Sequence, residues 1–305
     1  MKSRAAMKNH SAMKNHSALK SRAGMKRIVF LGGGRITNAL LAGLQRSGYK
    51  APIVVHDRNS HKLRSLKRQF HVTTEPDLAL AIAQARLLII AVRPADVLAL
   101  LVETRLAASP AARATRKSKR SNHAVPPRIA CSLAAGIPLA RLRSALPAPV
   151  RWARAMPSPT CRFGRGLTAL AFDRSFPASE RKLLTRFFST VGPVLEVPER
   201  QFDAFTATYS CSHGYHAMSA LARAGEKAGL DRRTARAAAS HALAEAILAW
   251  RDTDLSLEEL LEEAATPGGI AAAVMNTMNR HGHSKIVERS VRAGIARARQ
   301  NARKR

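Results

Sequence analysis

The feature that most constrains the fold is the stretch Met25–Leu44, which reads MKRIVFLGGGRITNALLAGL. Its apolar run Ile28–Leu31 predicts a buried strand, and the apolar residues that recur between Ile36 and Leu44 have helical spacing. Three glycines separate the two segments, in the pattern G-x-G-x-x-T. A strand, a glycine turn and a helix in this order are typical of a dinucleotide-binding βαβ unit.

The glycine turn predicts a binding site for a pyrophosphate. Gly32 and Gly34 allow the backbone to turn tightly and to approach the anion closely. The helix that follows presents its N–H groups, first at Arg35 and Ile36, together with the positive end of its dipole. Thr37 stands where a third glycine or an alanine is usual, so we expect the helix to lie slightly farther from the strand.

A second predicted strand, Ile53–His56, ends at Asp57 and Arg58, where a dinucleotide-binding fold contacts the adenosine ribose. An acidic residue here accepts a hydrogen bond from a free 2′-hydroxyl and favours NAD. An arginine binds a 2′-phosphate and favours NADP. Because both residues are present, the sequence leaves the choice between the two cofactors open.

Strand and helix patterns alternate over the first two thirds of the chain, and only helix patterns follow. Residues 25–200 therefore predict an α/β, Rossmann-like domain with a doubly wound parallel sheet. Its polar, basic segment 109–127 is interpreted as a surface insertion. Ala-rich segments over residues 201–300 predict an all-α domain, in which Phe202–Ala228 is expected to form a single helix. Asp231 is a candidate N-cap in this domain, and Ser256 with Glu259 has the pattern of a capping box.

Four further motifs follow the glycine turn, and their order is more informative than any one of them. They are Ala91-Val92-Arg93-Pro94, Ser132-Leu133-Ala134-Ala135-Gly136-Ile137, Arg154-Ala155-Met156-Pro157 and Thr266-Pro267-Gly268-Gly269. Together with the glycine turn they resemble the pyrroline-5-carboxylate reductase family over about residues 26–300. In that family the corresponding segments usually read AVKP, SIAAGI, RVMPNTP and TSPGGTT.

The resemblance implies an NAD(P)H-dependent oxidoreductase that reduces the cyclic imine 1-pyrroline-5-carboxylate to L-proline by hydride transfer. It implies NADP or NAD as cofactor, an imine or amino acid as substrate, and an all-α C-terminal domain that forms a homodimer or a larger homo-oligomer. The residues it assigns to the cofactor are Gly32, Gly34, Arg35, Ile36, Asp57, Arg58, Ala91, Val92, Arg93, Pro94, Ala134, Gly136 and Met156. The residues it assigns to the substrate are Pro267, Gly268, Gly269 and Ala271.

The substrate half departs from the family pattern. Ala271 stands where the family has the hydroxyl residue that meets the imine nitrogen, and alanine cannot donate a hydrogen bond. The family's SGSGPAY segment is also replaced, so the candidate catalytic donors are Thr266, Ser212 and His213. Two alternatives stay open: a related imine or 2-hydroxy-acid reductase, and a non-catalytic, cofactor-binding regulatory protein of the same fold.

Composition narrows the list of partners. A formal net charge of +31 is unusual for a metabolic enzyme, but it is spread along the chain, and aromatic residues make up only 5% of it. With no helix-turn-helix, zinc or RNA-binding motif, we expect no specific nucleic-acid partner. No apolar run reaches the ~18 residues of a membrane span, and the three cysteines have neither metal nor disulfide spacing. We therefore expect a cytoplasmic protein without membrane contact or bound metal.

Both flanks of the chain are basic and lack acidic residues. Residues 1–24 form a six-residue repeat, MKSRAA, MKNHSA, MKNHSA and LKSRAG, which predicts disorder and leaves Met25 as the natural start. Arg297–Arg305 is expected to form a frayed basic tail, of which residues 301–305 lie beyond the all-α domain.

Overall fold

The computed structural model describes residues 27–83, 85–107 and 129–303. Within these ranges the chain forms two compact units: a sheet unit, residues 27–208 together with 291–303, and a helical unit, residues 209–290. The basic repeat 1–24 and the insertion 109–127 both lie outside the described residues.

The sheet unit is built on eight strands in the order β3-β2-β1-β4-β5-β6-β7-β8. They are β1 (Ile28–Leu31), β2 (Ile53–His56), β3 (Thr73–Thr74), β4 (Leu87–Ile90), β5 (Ile129–Ser132), β6 (Arg151–Pro157), β7 (Thr168–Phe172) and β8 (Val194–Glu196). Strands β3 to β6 pair in parallel, so their carboxyl ends lie at one edge of the sheet. Every residue of β1 and β4 is buried, as unbroken apolar runs predict for strands covered on both faces.

Seven α-helices lie wholly within the described residues of the sheet unit. They are α1 (Arg35–Arg46), α2 (Ser60–Gln69), α3 (Leu78–Ala83), α4 (Pro94–Ala107), α5 (Leu139–Ala145), α6 (Ala178–Ser189) and α7 (Phe202–Thr208). Phe30 of β1 packs in one apolar cluster with Leu40 and Phe187, whereas its neighbour Val29 packs in the other with Trp152. Helices therefore cover both faces, and the doubly wound architecture is confirmed.

One part of the sheet prediction is wrong, because β7 runs antiparallel to β6. The connection between them contains only a 3₁₀ turn, Pro159–Phe163. A parallel partner needs a longer crossover, usually a helix. Strand β4 ends at Ile90, so Ala91 and Val92 belong to the loop that follows it.

The helical unit contains α8 (Ser212–Lys227), α9 (Arg232–Asp252), α10 (Leu257–Ala264), α11 (Ile270–Arg280) and the first part of α12 (His283–Arg303). The predicted N-caps are confirmed: Asp231 accepts backbone hydrogen bonds at the start of α9, and Ser256 forms a capping box with Glu259. No helix among the described residues is long and apolar enough to span a bilayer.

Two predictions for the helices are wrong. The single helix Phe202–Ala228 is divided into α7 and α8, with a break at residues 209–211. The basic tail is not frayed within the described residues, because α12 continues to Arg303 and buries Ala298. This last part of α12, residues 291–303, belongs to the sheet unit.

Candidate functional site

The glycine turn between β1 and α1 shows why two different glycines are needed. Gly32 has φ +111°, and a Cβ atom there would lie 2.7 Å from the carbonyl oxygen of Ala91, so any side chain would collide with the loop after β4. A Cβ atom on Gly34 would meet nothing nearer than that same oxygen, at 4.0 Å. Gly32 therefore serves the packing of the turn, whereas Gly34 leaves a ligand free to approach the backbone.

Helix α1 begins at this turn with Gly34 as its N-cap, so no side chain caps the N–H groups of its first turn, and no acidic residue occurs there. The predicted anion site at Arg35 and Ile36 thus keeps both its donors and the positive end of the helix dipole. Thr37 is fully buried, and its hydroxyl donates a hydrogen bond to the carbonyl oxygen of Gly32 at 2.6 Å. This bond accommodates the β-branched side chain where a glycine or alanine was expected.

Asp57, at the end of β2, ties that strand to the glycine turn. One carboxylate oxygen accepts a hydrogen bond from the N–H of Gly33 at 2.8 Å, and the other accepts one from Asn59 at the same distance. The ammonium of Lys62 lies 3.6 Å from the first oxygen. The side chain is only 12% exposed, yet each oxygen retains a lone pair for a further donor.

The guanidinium of Arg58 is paired with Glu103, a residue that the sequence analysis did not identify. Its Nη2 atom lies 2.5 and 2.6 Å from the two carboxylate oxygens of Glu103, on α4. The hydrogen bond to Glu103 raises the pKa of Arg58 further above its ordinary value. Glu103 lies 45 residues along the chain, and no local pattern could have indicated this pair.

The loop after β4 lies directly beside the glycine turn. The N–H of Ala91 donates to the carbonyl oxygen of Leu31 at 2.8 Å, which brings Ala91 and Val92 to the end of β1. Pro94 begins α4. The Arg93 side chain is turned toward this helix, with Nε 3.0 Å from a carboxylate oxygen of Asp96.

The loop after β5 packs against the last part of α12. Gly136 has φ +80°, and a Cβ atom there would lie 2.2 Å from the carbonyl oxygen of Ala298. The side-chain amide of Asn301 donates to the carbonyl oxygen of Ala135 at 3.4 Å, and Arg141 donates to that of Ala302. The need for glycine at 136 is therefore explained by helix packing, while contact of Ala134 and Gly136 with a cofactor stays a prediction.

Strand β6 carries a buried cation just before Met156. Arg154 is 2% exposed and donates hydrogen bonds to Glu199 and Asp203, both at 3.1 Å. Its guanidinium also lies 4.3 Å from the ring centre of Phe202. Glu199 in turn accepts a hydrogen bond from the N–H of Leu139, at the start of α5. Arg154 thus joins three segments of the sheet unit close to the predicted cofactor edge.

The helical unit holds the predicted substrate turn. Gly268 has φ +76°, and the N–H of Gly269 donates to the carbonyl oxygen of Thr266 at 2.9 Å. Gly269 is the N-cap of α11, again without a side-chain cap. The first turn of α11 contains Ile270, which is 86% exposed, and Ala271. Pro267 and the two glycines therefore lead into a helix start whose N–H groups suit an anion.

The remaining catalytic candidates lie at the start of α8. Cys211 is the N-cap, and Ser212 is the first helical residue. The hydroxyl of Ser212 is 2.7 Å from that of Ser210, and the backbone N–H of His213 donates to the carbonyl oxygen of Ser210. This geometry places hydroxyl groups and an imidazole together at one helix end, and their catalytic roles stay predictions.

Two of the three cysteines are buried. Burial raises the pKa of the Cys161 thiol to about 12 and also raises that of Cys131, so both are neutral core thiols. All three cysteines are free. The part of the chain that the structure describes contains no group of three or more histidine, cysteine or acidic side chains placed to hold a metal ion.

Comparison with known proteins covers both units. The family model described as pyrroline-5-carboxylate reductase dimerisation matches residues 199–301. The model described as NADP oxidoreductase, coenzyme F420-dependent, matches residues 27–113. A pyrroline-5-carboxylate reductase of Mycobacterium tuberculosis is 32% identical over 297 residues, which span 91% of this chain and 97% of that protein. The chain belongs to the pyrroline-5-carboxylate reductase family.

Other members of this family are also similar to this chain over most of their length. The reductase of Pseudomonas aeruginosa is 28% identical and is covered over 95% of its length. Among solved structures, the reductase of Streptococcus pyogenes superposes with a TM-score of 0.78 at 20% identity, covering 90% of this chain and 98% of that one. The Plasmodium falciparum reductase, solved with NADP bound, gives a TM-score of 0.77 at 16% identity, with 92% and 100% covered. These two structures confirm the fold.

Proposed function

We propose that this chain reduces 1-pyrroline-5-carboxylate to L-proline with NAD(P)H. The observation that carries the proposal is the match with a pyrroline-5-carboxylate reductase over 97% of that protein's length, which includes both units. The open approach to Gly34 and the uncapped start of α1 support binding of a dinucleotide pyrophosphate. When bound there, a reduced nicotinamide would supply a hydride to the imine carbon, and the imine nitrogen would take up a proton.

The chain's own contribution to this reaction is positioning. The ends of β1, β2, β4, β5 and β6 hold the cofactor-binding loops at one edge of the sheet. In the helical unit, the Gly268–Gly269 turn offers backbone N–H groups to the substrate carboxylate. Because this interaction needs no side chain, it survives the replacement of the hydroxyl residue by Ala271. What the replacement removes is the hydrogen bond to the reacting nitrogen, unless Thr266, Ser212 or His213 supplies another donor.

The active protein is proposed to be a homodimer formed by the helical unit. The buried apolar residues of this unit, within the range described, are Ala222, Ala235 and Ala239. Large apolar side chains such as Ile247 and Leu248 are about half exposed. A second copy of the unit supplies the cover that this surface needs, and the match to a dimerisation model supports the same assembly. A cytoplasmic location is part of the proposal, and the three free cysteines support it.

The test of the proposed reaction is a steady-state assay with 1-pyrroline-5-carboxylate and either NADH or NADPH, on the natural chain and on Ala271→Thr. We expect turnover by the natural chain and a rise in kcat/KM of about tenfold to a hundredfold in the variant. A hydrogen bond to a charged group contributes about 1.5–3 kcal/mol, and here it forms at the reacting nitrogen.

The matched control is Ala273→Thr, which places the same side chain one half-turn farther along α11 and should leave kcat/KM unchanged. A flat or lower value in Ala271→Thr would mean that another donor already serves the nitrogen. If both proteins bind the dinucleotide but neither reduces any cyclic imine, the reductase proposal is wrong and the regulatory alternative replaces it.

A further inference from the structure

Six charged side chains surround the end of β2, where the adenosine ribose of a dinucleotide would lie. They are the carboxylates of Asp57, Asp96 and Glu103 and the cations of Arg58, Lys62 and Arg93. Each cation has a carboxylate of this group within 4 Å: 2.5 Å for Arg58, 3.6 Å for Lys62 and 3.0 Å for Arg93. The cluster is therefore balanced in charge, and its cations are already engaged.

Arg58 is the cation that bears on the choice of cofactor, because an arginine at this position can bind a 2′-phosphate. In this chain its Nη2 atom is held by both oxygens of Glu103. Asp96 and Asp57 also stabilise its charge. To bind a 2′-phosphate, Arg58 must leave Glu103 or bring the phosphate up to that carboxylate, and either event opposes binding.

Asp57 also opposes binding of a 2′-phosphate. Its carboxylate is fixed by the N–H groups of Gly33 and Asn59, so it cannot swing away from an incoming phosphate without breaking the glycine turn. A fixed carboxylate repels a 2′-phosphate, whereas it accepts a hydrogen bond from a free 2′-hydroxyl. Asp57, which favours NAD, is therefore fixed beside the ribose position, whereas Arg58, which favours NADP, is held by Glu103.

We infer that Glu103 determines the cofactor preference of this protein, favouring NADH over NADPH by holding Arg58 away from the 2′-position. The inference rests on the proposed use of a nicotinamide dinucleotide and goes beyond it by naming the preferred form. It assigns a specificity role to a helix residue that lies outside the glycine turn and outside the end of β2.

The experiment measures the dissociation constants of NADH and NADPH by fluorescence titration, without substrate, for the full chain and for Glu103→Gln. The natural chain should bind NADH more tightly. In Glu103→Gln the ratio of the NADPH constant to the NADH constant should fall about threefold to tenfold. The Arg58–Glu103 pair is exposed, and such pairs are weak, so a larger change is not expected.

Two further variants make the result specific. Glu196→Gln removes a carboxylate from another exposed pair, with Arg181 at 2.9 Å, at the opposite end of the sheet, and it should leave the ratio unchanged. Adding Arg58→Met to Glu103→Gln should abolish the gain in NADPH binding, since the gain is assigned to the released guanidinium.

The outcomes separate this inference from the proposed function. Tight NADH binding with an unchanged ratio in Glu103→Gln would overturn the inference alone, as would tighter binding of NADPH by the natural chain. A folded chain that binds neither dinucleotide would overturn the proposed function and the inference with it.

Discussion

The sheet unit and the helical unit differ in how their apolar surface is covered. In the sheet unit, helices on both faces bury whole strands, and large side chains such as Trp152 and Phe187 are at most 2% exposed. In the helical unit, the buried apolar residues within the described range are three alanines, while Ile247 is 51% exposed. The first unit contains its own hydrophobic core, whereas the second has an apolar surface without one.

The side chains on the helices of the helical unit account for this difference. Alanines on α8 and α9 allow close helix packing but bury little surface, so they cannot by themselves stabilise a unit of this size. Longer side chains on the outside of the same helices form the exposed apolar area that the proposed second copy would cover. The first prediction therefore tests the exposed apolar surface of the helical unit by placing a charge on it.

Ile247→Asp should dissociate the dimer. In the proposed two-fold dimer each copy contributes one Ile247 to the interface, and burying an isoleucine contributes about 1.5–3 kcal/mol. The expected loss is about 3–6 kcal/mol of association free energy, with monomers seen by light scattering at micromolar concentration.

The matched control is Leu106→Glu, which places a charge on a 63% exposed apolar residue of the sheet unit. Its oligomeric state should stay that of the natural chain. A natural chain that is already monomeric at micromolar concentration, or an Ile247→Asp variant that stays dimeric, would contradict the comparison.

Arg154→Met tests the interior of the sheet unit and should lower its stability. The substitution leaves two carboxylates, Glu199 and Asp203, facing a site without their cation. Breaking a buried ion pair by removing one partner costs about 3–5 kcal/mol. Urea denaturation should show this loss, whereas Arg181→Met, in the exposed pair with Glu196, should cost at most about 1 kcal/mol. Equal effects of the two substitutions would mean that Arg154 is not a structural centre of the sheet unit.

The smallest expected effect comes from substitutions in the glycine turn, where Gly34 is predicted to serve binding and Gly32 to serve folding. Gly34→Val should keep the melting temperature, because its Cβ meets no atom nearer than 4.0 Å. It should weaken NAD(P)H binding at least tenfold, about 1.4 kcal/mol, by blocking the approach of the pyrophosphate. Gly32→Ala should instead lower the melting temperature, because of its positive φ and its collision with Ala91. Unchanged affinity in a folded Gly34→Val variant would remove the pyrophosphate site from this turn.

Local patterns predicted most of the fold. The buried strands, the glycine turn and the caps at Asp231 and Ser256 depend on neighbouring residues, and sequence spacing is enough to recognise them. The direction of β7 and the break before α8 were missed. The first depends on which strand β7 pairs with, whereas the second falls in residues 209–214, a segment of weak helix formers whose local signal was overlooked.

The candidate site was predictable to the same extent. Loops after parallel strands must meet at one edge of a sheet, so Gly32, Asp57, Ala91 and Met156 could be placed there in advance. Glu103 could not, because its partner Arg58 lies in the loop after β2, and the pair exists only after helix α4 has packed. The packing of Ala298 on Gly136 was missed for the same reason.

That last contact means that the sheet unit is discontinuous along the chain. A fragment that ends at Thr208 carries all eight strands of the described sheet but leaves Gly136 without Ala298 and the carbonyl of Ala135 without Asn301. A fragment that continues to Ser290 adds the helical unit and still lacks those two contacts. No single cut in the polypeptide therefore releases an intact dinucleotide-binding module, and attempts to swap or excise this half of the protein must carry residues 291–303 with it.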